Sequence, residues 1–411
     1  MQYKTISNRF TKKYKTKHPF VNAAMAFVGS TADLPAAVIK AGGMGTFAIG
    51  ALTPESVRAE VDTLRRNSIN EPLNMNAIVP FTTEQHIDLL CELKPQVVSF
   101  HWGPVNIGWI TKLHEAKIEV WQQIGSAEEA EQAVLAGVDA VIVQGLEAGG
   151  HNLSTLPLFV LLPEVVRSVA PVMVVAGGGI SQGSQVAAAL ALGADAVWVG
   201  SRLIASKEAD AHPVYKQRIV DTVSGSDTAL TPIFGRETPD FNPMRTLSNS
   251  LTQRWVETET HSLRLDSVEL YRQELPVKGA ATEKEEAVNV SSGVLLEKPG
   301  VGLMDSVEAV ENIVTTIVSD DKHQESCLSE AQPLGSTKLN GQMIPVDQFS
   351  SFPPIKETTG DVYSMALCCG QGVGLIDSID GVEEIITTMM NDACDVLQQS
   401  TVKIDSLSRE P

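Results

Sequence analysis

Short apolar runs alternate with helix-like segments between residues 18 and 218 of this 411-residue chain. The apolar runs are continuous rather than interrupted at every second position, which is typical of parallel strands covered on both faces. The helix-like segment at 126–137 carries a capping box at Ser126 and Glu129 and ends at Gly137. Eight strands are predicted on this basis, at residues 19–25, 45–50, 73–78, 97–100, 119–124, 140–145, 171–177 and 196–201.

Eight strand–helix units within about 200 residues predict an α/β fold, namely a (β/α)8 TIM barrel. A doubly wound sheet is the structural alternative, but such a sheet more naturally has about five to seven strands. In a barrel the loops that follow the strands gather on one face, where active sites lie. Chemistry is therefore expected at the carboxyl ends of the predicted strands.

An internal repeat follows the barrel: residues 300–320 match residues 372–392 at 12 of 21 positions. Each copy is a glycine turn followed by an amphipathic helix, which is a supersecondary unit rather than a domain. The second copy, at 370–397, is expected to pack against the barrel near the active site. The first copy is expected to be peripheral or to contact another subunit. The stripe that requires burial in the second copy is Val382, Ile385, Ile386, Met389 and Met390.

The chain beyond the barrel is predicted to be a C-terminal helical and irregular extension. Four segments are expected: the barrel at 1–222, a helical segment on its substrate side at 223–280, an acidic and partly disordered insertion with the first repeat copy at 281–360, and a helical segment returning to the barrel at 361–411. Charge supports this division, because the residues from Ala281 onward contain 22 acids and 7 bases.

Overall composition excludes several classes of function. The net charge of −19 argues against nucleic acids and acidic membrane surfaces as partners, since both attract Lys and Arg patches. No apolar run approaches the roughly 18 residues of a membrane span. The five cysteines show no CxxC and no zinc spacing, so no metal is predicted. Their odd number fits a reducing compartment, and a cytoplasmic location is expected.

Two glycines and a histidine follow the sixth predicted strand, in VQGLEAGGHNLSTLP at 143–157. One glycine is enough for a structural turn, whereas Gly149 and Gly150 together indicate a flat ligand close to the backbone. His151 adds a group that titrates near neutral pH. This loop is therefore predicted to combine ligand binding with proton chemistry, His151 being the catalytic residue.

Glycine-rich loops also follow the seventh and eighth predicted strands, in VVAGGGI (174–180) and AVWVGSRL (196–203). In many barrels these two loops bind a phosphate through backbone N–H groups and a hydroxyl. The predicted phosphate-binding residues are Gly178, Gly179, Gly200 and Ser201. The alternative is that the glycines only supply a turn from strand to helix.

Amide side chains lie at or near the ends of three other strands, at Asn76, Gln123 and Gln144, and Met25 ends the first strand. Several amides with few charges suit a neutral flat heterocycle that has donor and acceptor edges. Together with a phosphate anchor they predict a site for flavin mononucleotide, FMN. His101, at the end of the fourth strand, faces the same site as either a substrate contact or a wall residue.

The segments MAFVGSTADLPAAVIKAGGMG, QGLEAGGH, VVAGGGI and VWVGSRLI, in this order and spacing, resemble the nitronate monooxygenase family, formerly called 2-nitropropane dioxygenases. The resemblance covers about residues 5–255 and returns in GQGVGLI at 370–376, which puts Gln371 on the substrate side. It implies an FMN-dependent enzyme that oxidises alkyl nitronates with dioxygen to a carbonyl compound and nitrite.

Several positions acquire a role from this resemblance. The family's motif histidine falls on His151. Its flavin contacts fall on Asn76, Gln144, Gly149, Gly179, Trp198, Val199, Gly200 and Ser201, where serine replaces the more usual threonine. The sequence departs from the family at Asn152 and Leu153, where many members have Arg-Gly or Ile-Gly. This departure concerns the choice of substrate more than flavin binding.

The sequence is also compatible with other functions. FMN-dependent enoyl-acyl-carrier-protein reductases and NADH:quinone reductases share the glycine-glycine-histidine signature but need a nicotinamide donor. A barrel aldolase or isomerase would usually place a lysine or paired carboxylates at its strand ends. A third class is a flavin-binding protein without catalysis. The expected partners are a small nitronate and dioxygen, and the sequence is compatible with a homo-oligomer.

Overall fold

The computed structural model describes residues 4–50, 52–66, 73–152, 154–235, 243–255 and 332–407. Met1–Trp255 and Pro333–Pro411 form one unit, and Val256–Gln332 forms a second. The first repeat copy, at 300–320, belongs to the second unit and lies outside the described residues.

Eight parallel strands form the centre of the first unit, and each is hydrogen-bonded to its neighbours in the order first, eighth, seventh, sixth, fifth, fourth, third and second. A bridge between Val21 and Met44 joins the first strand to the second and closes the barrel. The predicted (β/α)8 TIM barrel is thus confirmed. The barrel strands are β1 (Phe20–Asn22), β2 (Gly45–Ala48), β3 (Leu73–Ile78), β4 (Val97–His101), β5 (Glu119–Ile124), β6 (Ala140–Gln144), β8 (Met173–Gly177) and β9 (Ala196–Val199).

Helices alternate with these strands and pack around the barrel, whereas the first helix precedes the strands and packs Phe10 and Tyr14 against Trp121. Half of the predicted capping box of α6 is present, since the Ser126 hydroxyl accepts from the N–H of Glu129 at 3.1 Å. The Glu129 carboxylate accepts from the N–H of Gly125 at 2.7 Å instead of from that of Ser126. Gly137 ends this helix with a φ of 104°, a left-handed conformation that glycine adopts readily. The helices are α1 (Arg9–Tyr14), α2 (Asp33–Lys40), α3 (Pro54–Arg66), α4 (Glu84–Leu93), α5 (Ile107–Glu115), α6 (Ala127–Ala136), α7 (Leu158–Val169), α8 (Gly183–Ala191), α9 (Ser201–Ile204), α10 (Pro213–Asp221) and α11 (Val382–Leu407).

The structure differs from the helical segment expected at 223–280. Strands β10 (Thr228–Thr231) and β11 (Met244–Leu247) pair in antiparallel fashion, and β11 also pairs with β7 (Gly150–His151). Among the described residues of this segment, only 250–255 continue as an α-helix. The partner of β11 lies more than 90 residues earlier in the chain, so no local periodicity in 243–255 could indicate the pairing.

Part of the predicted acidic insertion is also ordered as a sheet. Strands β12 (Pro333–Leu339), β13 (Gln342–Asp347) and β14 (Thr359–Gly360) are antiparallel, with β12 in the centre. Asn340 and Gly341, with φ values of 49° and 79°, form the turn between β12 and β13. Asn-Gly is the strongest short-range signal for such a hairpin. The loop before β14 brings Ser351, Phe352 and Pro353 to a cavity at the carboxyl ends of the barrel strands.

The C-terminal helix α11 packs against α8. Gly183 allows the close approach, because a Cβ at this position would lie 2.2 Å from the carbonyl oxygen of Met389. The apolar stripe of the second repeat copy is buried in the main core, at Val382, Ile385, Ile386, Met389 and Met390. In the described part of the chain, no helix combines the length and apolar character needed to cross a membrane.

Candidate active site

A cavity of about 420 Å³ opens at the carboxyl ends of the barrel strands. Its wall combines the loops after the strands with residues from 351–353 and 368–372. Nearly all of the site residues predicted from sequence lie in this wall: Met25, Asn76, His101, Gln123, Gln144, Gly149, Gly150, His151, Gly178, Gly179, Trp198, Gly200 and Ser201. The structure therefore brings together residues that are up to 176 positions apart in the sequence.

Two predicted site residues lie elsewhere. The side chain of Val199 is fully buried in the core around the barrel, while its carbonyl accepts from the N–H of Ala23 at 2.8 Å. Gln371 belongs to a smaller pocket, and its N–H donates to the carbonyl of Glu147 at 2.8 Å. Its neighbours Gly370 and Gly372 do line the main cavity.

His151 is held in the wall by three neighbours. Its strand β7 pairs with β11, where Met244 lies opposite it. The side-chain amide of Gln144 donates to its carbonyl oxygen at 3.0 Å. The ring of Trp102 meets its imidazole edge-on, with 4.3 Å between the ring centroids. Because only 9% of His151 is exposed, these contacts fix a nearly buried imidazole beside the cavity.

His101 lies in the same wall, at the end of β4. Its Nδ1 is 2.9 Å from the side-chain nitrogen of Asn76. Burial, and to a smaller extent the charge of His151, lower the pKa of His101 to about 4. His101 is therefore neutral at neutral pH.

The glycines after β8 and β9 leave backbone donors available at the cavity. Gly178 and Gly179 have φ values of 119° and 70°, and a Cβ on Gly178 would lie 3.2 Å from the backbone nitrogen of Gly145. Among the described residues, no carbonyl accepts from the N–H of Gly178, Gly179 or Gly200. Such a cradle of N–H groups fits an anionic group of the size of a phosphate.

A segment from the C-terminal part of the chain closes one side of the cavity. A Cβ on Gly149 would lie 2.6 Å from the backbone of Cys369 and Gly370, so the two segments touch through their main chains. The N–H of Gly370 donates to the Ser201 hydroxyl at 2.9 Å. The Tyr215 hydroxyl donates to the carbonyl of Cys368. The second repeat copy thus begins at the cavity itself.

Asn152, where the sequence departs from the family, does not line the cavity. It is 1% exposed, and its amide nitrogen lies 3.0, 3.1 and 3.4 Å from the carbonyls of Gly145, Leu146 and Ala148. Its oxygen accepts from the N–H of Ser154 at 2.9 Å. Asn152 therefore shapes the loop before His151 from behind rather than touching a ligand.

Two charged residues that support this loop were not predicted. Arg245 of β11 is buried, and its Nε and Nη2 donate to the carbonyl of Leu146 at 3.2 and 3.0 Å. The carboxylate of Glu147 accepts from the N–H of Leu158 at 2.9 Å and thereby caps α7. Arg245 had no signal in the sequence because the strand pairing that places it was not predicted. Glu147 is an acid that precedes α7 in the sequence, and acids are favoured near helix N-termini, but this gave only a weak indication of its role.

The mouth of the cavity is aromatic. The rings of Phe27 and Phe352 lie 4.9 Å apart, and those of Phe81 and Trp102 lie 6.0 Å apart. Phe27 and Trp102 have left-handed φ values of 69° and 65°, which bulky residues rarely adopt and which cluster at functional sites. No Asp, Glu, Lys or Arg belongs to the wall in the described part of the chain. The cavity thus presents apolar surface, neutral donors and two histidines.

Sequence comparison relates this chain to one family of known proteins. The model of the nitronate monooxygenase family matches residues 7–87 and 67–320. The nitronate monooxygenase of Paraburkholderia phytofirmans is 30% identical over 284 residues, which cover 57% of this chain and 74% of that protein.

Solved structures with the same fold cover almost the entire chain. FabK of Thermotoga maritima is 27% identical, with a TM-score of 0.67 over 97% of this chain and all of that one. Nitroalkane oxidase of Streptomyces ansochromogenes, 21% identical, shares the fold with a TM-score of 0.64 over 95% of this chain and all of that one. On the family match and the relative from Paraburkholderia, this chain belongs to the nitronate monooxygenase family of oxidoreductases.

Proposed function

We propose that the protein uses FMN to oxidise alkyl nitronates with dioxygen, giving a carbonyl compound and nitrite. The observation that carries this proposal is the meeting of His151 with the N–H cradle of Gly178, Gly179 and Gly200 in one cavity. A proton acceptor beside a phosphate anchor is what a carbon acid and a mononucleotide cofactor together require.

The residues of the wall fit FMN. The phosphate would lie against Gly178, Gly179 and Gly200, with the Ser201 hydroxyl as a further donor. Met25 and Trp198 supply apolar surface for a flat ring system, and Gln123 adds an amide. When bound, FMN would supply the acceptor for the electrons removed from the nitronate, and dioxygen would be the final acceptor of those electrons.

His151 supplies the proton chemistry in this proposal. A neutral nitroalkane is a carbon acid, and it must lose a proton from carbon to become an electron-rich nitronate. The imidazole of His151 accepts that proton. When the substrate arrives already ionised, the same ring holds the anion through a hydrogen bond. Since no charged side chain among the described residues lines the cavity, neutral donors and His151 have to stabilise the nitronate.

Anaerobic reduction of the bound flavin tests the proposal. The purified protein is mixed without oxygen with an alkyl nitronate and, separately, with NADH and NADPH, while the flavin absorbance near about 450 nm is followed. We expect bleaching by the nitronate and recovery with nitrite release when oxygen is admitted. Recovery of FAD, or of no flavin after FMN has been supplied, would contradict the proposed cofactor.

The second candidate is an FMN-dependent NAD(P)H reductase of the same superfamily, acting on an enoyl-acyl-carrier-protein or a quinone. The similarity to FabK over 97% of the chain favours it. In the same experiment the flavin of such a reductase would be bleached by NADH or NADPH and not by a nitronate. The nitronate mixture and the two nicotinamide mixtures therefore distinguish the two candidates.

A further inference from the structure

The hydrogen bonds of Asn76 fix the orientation of its side-chain amide. Its nitrogen lies 3.1 Å from the backbone carbonyl of Ser99 and 2.9 Å from the hydroxyl of the same residue. A carbonyl oxygen can only accept, so the atom that faces it must be the amide nitrogen. The same nitrogen lies 2.9 Å from Nδ1 of His101.

This orientation also determines the tautomer of His101. Because the amide nitrogen of Asn76 donates, Nδ1 of His101 has to accept and carries a lone pair. The proton of the neutral ring is then on Nε2. Neutrality follows from the environment, since burial, and less strongly the positive charge that His151 gains when it takes up a proton, disfavours the imidazolium form of His101. His101 is therefore a neutral ring with one N–H, at the end of β4 in the cavity wall.

We propose that His101 is a second catalytic residue, which donates a hydrogen bond from Nε2 to a nitro oxygen of the substrate, and that Asn76 is the positioning residue that holds it in this tautomer. The proposal deepens the proposed oxidation of nitronates and rests on it. It gives Asn76 a role toward His101 in addition to the flavin contact expected from sequence.

The proton transfer shows why a neutral donor is suitable. When His151 removes the proton, the C–H bond breaks and its electron pair moves onto the nitro group, so negative charge develops on the oxygens. Nε2–H of His101 stabilises that charge without giving up its proton, because the conjugate imidazolate is a very strong base. The anion therefore remains a nitronate and is not neutralised to the acid. A neutral imidazole has the same electrophilic role in other enzymes.

The tautomer is tested first, independently of activity. Two-bond ¹H–¹⁵N correlation spectra of ring-labelled histidine in the flavin-loaded protein distinguish Nε2–H, Nδ1–H and imidazolium forms. The His101→Phe spectrum assigns the signal. We expect Nε2–H at pH 7, and a change to Nδ1–H in Asn76→Asp, whose carboxylate accepts instead of donating. An Nδ1–H or imidazolium signal in the unmodified protein would overturn the proposal.

Kinetics then test the role toward the substrate. His101→Phe should lower kcat/KM for a neutral nitroalkane by about 10²-fold, the usual effect of removing one donor to a developing oxyanion. For a pre-formed nitronate the loss should be below about tenfold, because its charge exists before the reaction. His101→Gln keeps an N–H near the position of Nε2 and should restore much of the lost activity. Equal losses for both substrates, or none, would contradict a donor role.

A surface histidine provides the matched control. His86 bonds to Thr83 and to the carbonyl of Leu52 and is not part of the cavity wall. His86→Phe should leave both kinetic constants within about twofold. If the unmodified protein fails to oxidise nitronates, the proposed function and the substrate role of His101 both fall, whereas the spectra still decide whether Asn76 sets the tautomer.

Discussion

The hydroxyl oxygen of Ser201 accepts a hydrogen bond from the backbone N–H of Gly370 at 2.9 Å. This contact joins the end of β9 to a segment that follows 169 residues later. Because Ser201 accepts here, its own O–H can donate elsewhere, and the Cys369 thiol is one hydrogen-bond partner of this side chain. One side chain therefore connects the proposed phosphate loop to the start of the second repeat copy.

Replacement of Ser201 by alanine should weaken FMN binding by about tenfold. The change removes a donor to the phosphate and the acceptor that holds Gly370, a loss of about 1–1.5 kcal/mol in binding free energy. Titration of FMN fluorescence gives the dissociation constant. Ser201→Thr, which keeps the hydroxyl, should bind FMN almost as tightly as the unmodified protein. An unchanged dissociation constant in Ser201→Ala would show that this hydroxyl does not contribute.

Gly179→Glu should abolish FMN binding. A Cβ at this position would already lie 3.2 Å from the Cβ of Glu147, and the new carboxylate would repel the phosphate. Gly341→Glu is the matched control: Gly341 has a similar φ of 79°, but an added Cβ meets nothing within 4 Å. After purification, the flavin content should be near zero in the first variant and unchanged in the second. Equal losses would assign the effect to backbone strain.

The sequence predicts the barrel well because its signals are local. The run 119–124 is a strand with the same bounds in the structure, and Gly137 ends α6 as expected. The ends of parallel strands meet on one face, so Asn76, Gln144 and His151 were expected near one another without knowledge of any contact.

Long-range pairing limits such predictions. β11 pairs with β7 over more than 90 residues, and Arg245 was missed for that reason. The partner to which a side-chain amide donates its hydrogen bond cannot be predicted from the sequence either. Gln144 lines the cavity as expected and its flavin contact stays a prediction, but nothing in the sequence indicates that its nitrogen donates to the carbonyl of His151. The Asn340-Gly341 turn was a local signal, and the acidic composition around it obscured the hairpin.

Asn152→Asp should destabilise the fold without changing the range of substrates. The new carboxylate would face the carbonyls of Gly145, Leu146 and Ala148 in a buried position, which costs about 3 kcal/mol or more. The control is Asn106→Asp, where the side chain caps α5 and aspartate is an equally good cap. Urea denaturation measures both. A stable Asn152→Asp protein with altered substrate preference would instead place this residue in substrate selection.

His18 should contribute to loss of stability in acid. Burial, and secondarily the charge of Lys17, lower its pKa from 6.5 to about 4. Between these values the unfolded chain binds a proton that the folded protein does not, so the free energy of unfolding falls as pH decreases. Above pH 6.5 His18 is neutral in both states and does not reduce the free energy of unfolding. As the pH falls from 6.5 toward 4, His18 lowers that free energy by at most about 3 kcal/mol.

His18→Phe should reduce that loss. Neither ring nitrogen of His18 has a partner among the described residues, so phenylalanine removes two unsatisfied buried atoms. Urea denaturation at pH 8 and pH 5 should show a smaller difference in the variant than in the unmodified protein. The difference will not vanish, because the pKa of His101 is lowered to a similar value. An identical difference in both proteins would mean that His18 is hydrated or paired in solution.

His151→Asn should lower kcat/KM for a neutral nitroalkane by about 10² or more, the usual size of a general-base effect. A pre-formed nitronate should lose less, because its proton is already gone. Deuterium at the reacting carbon sharpens the test: the unmodified enzyme should show a primary isotope effect on the nitroalkane and none on the nitronate. Flavin content must match between the proteins, since His151 lies in the cofactor cavity. Equal losses on both substrates would mean that His151 binds or orients the substrate, and the proton would then need another acceptor.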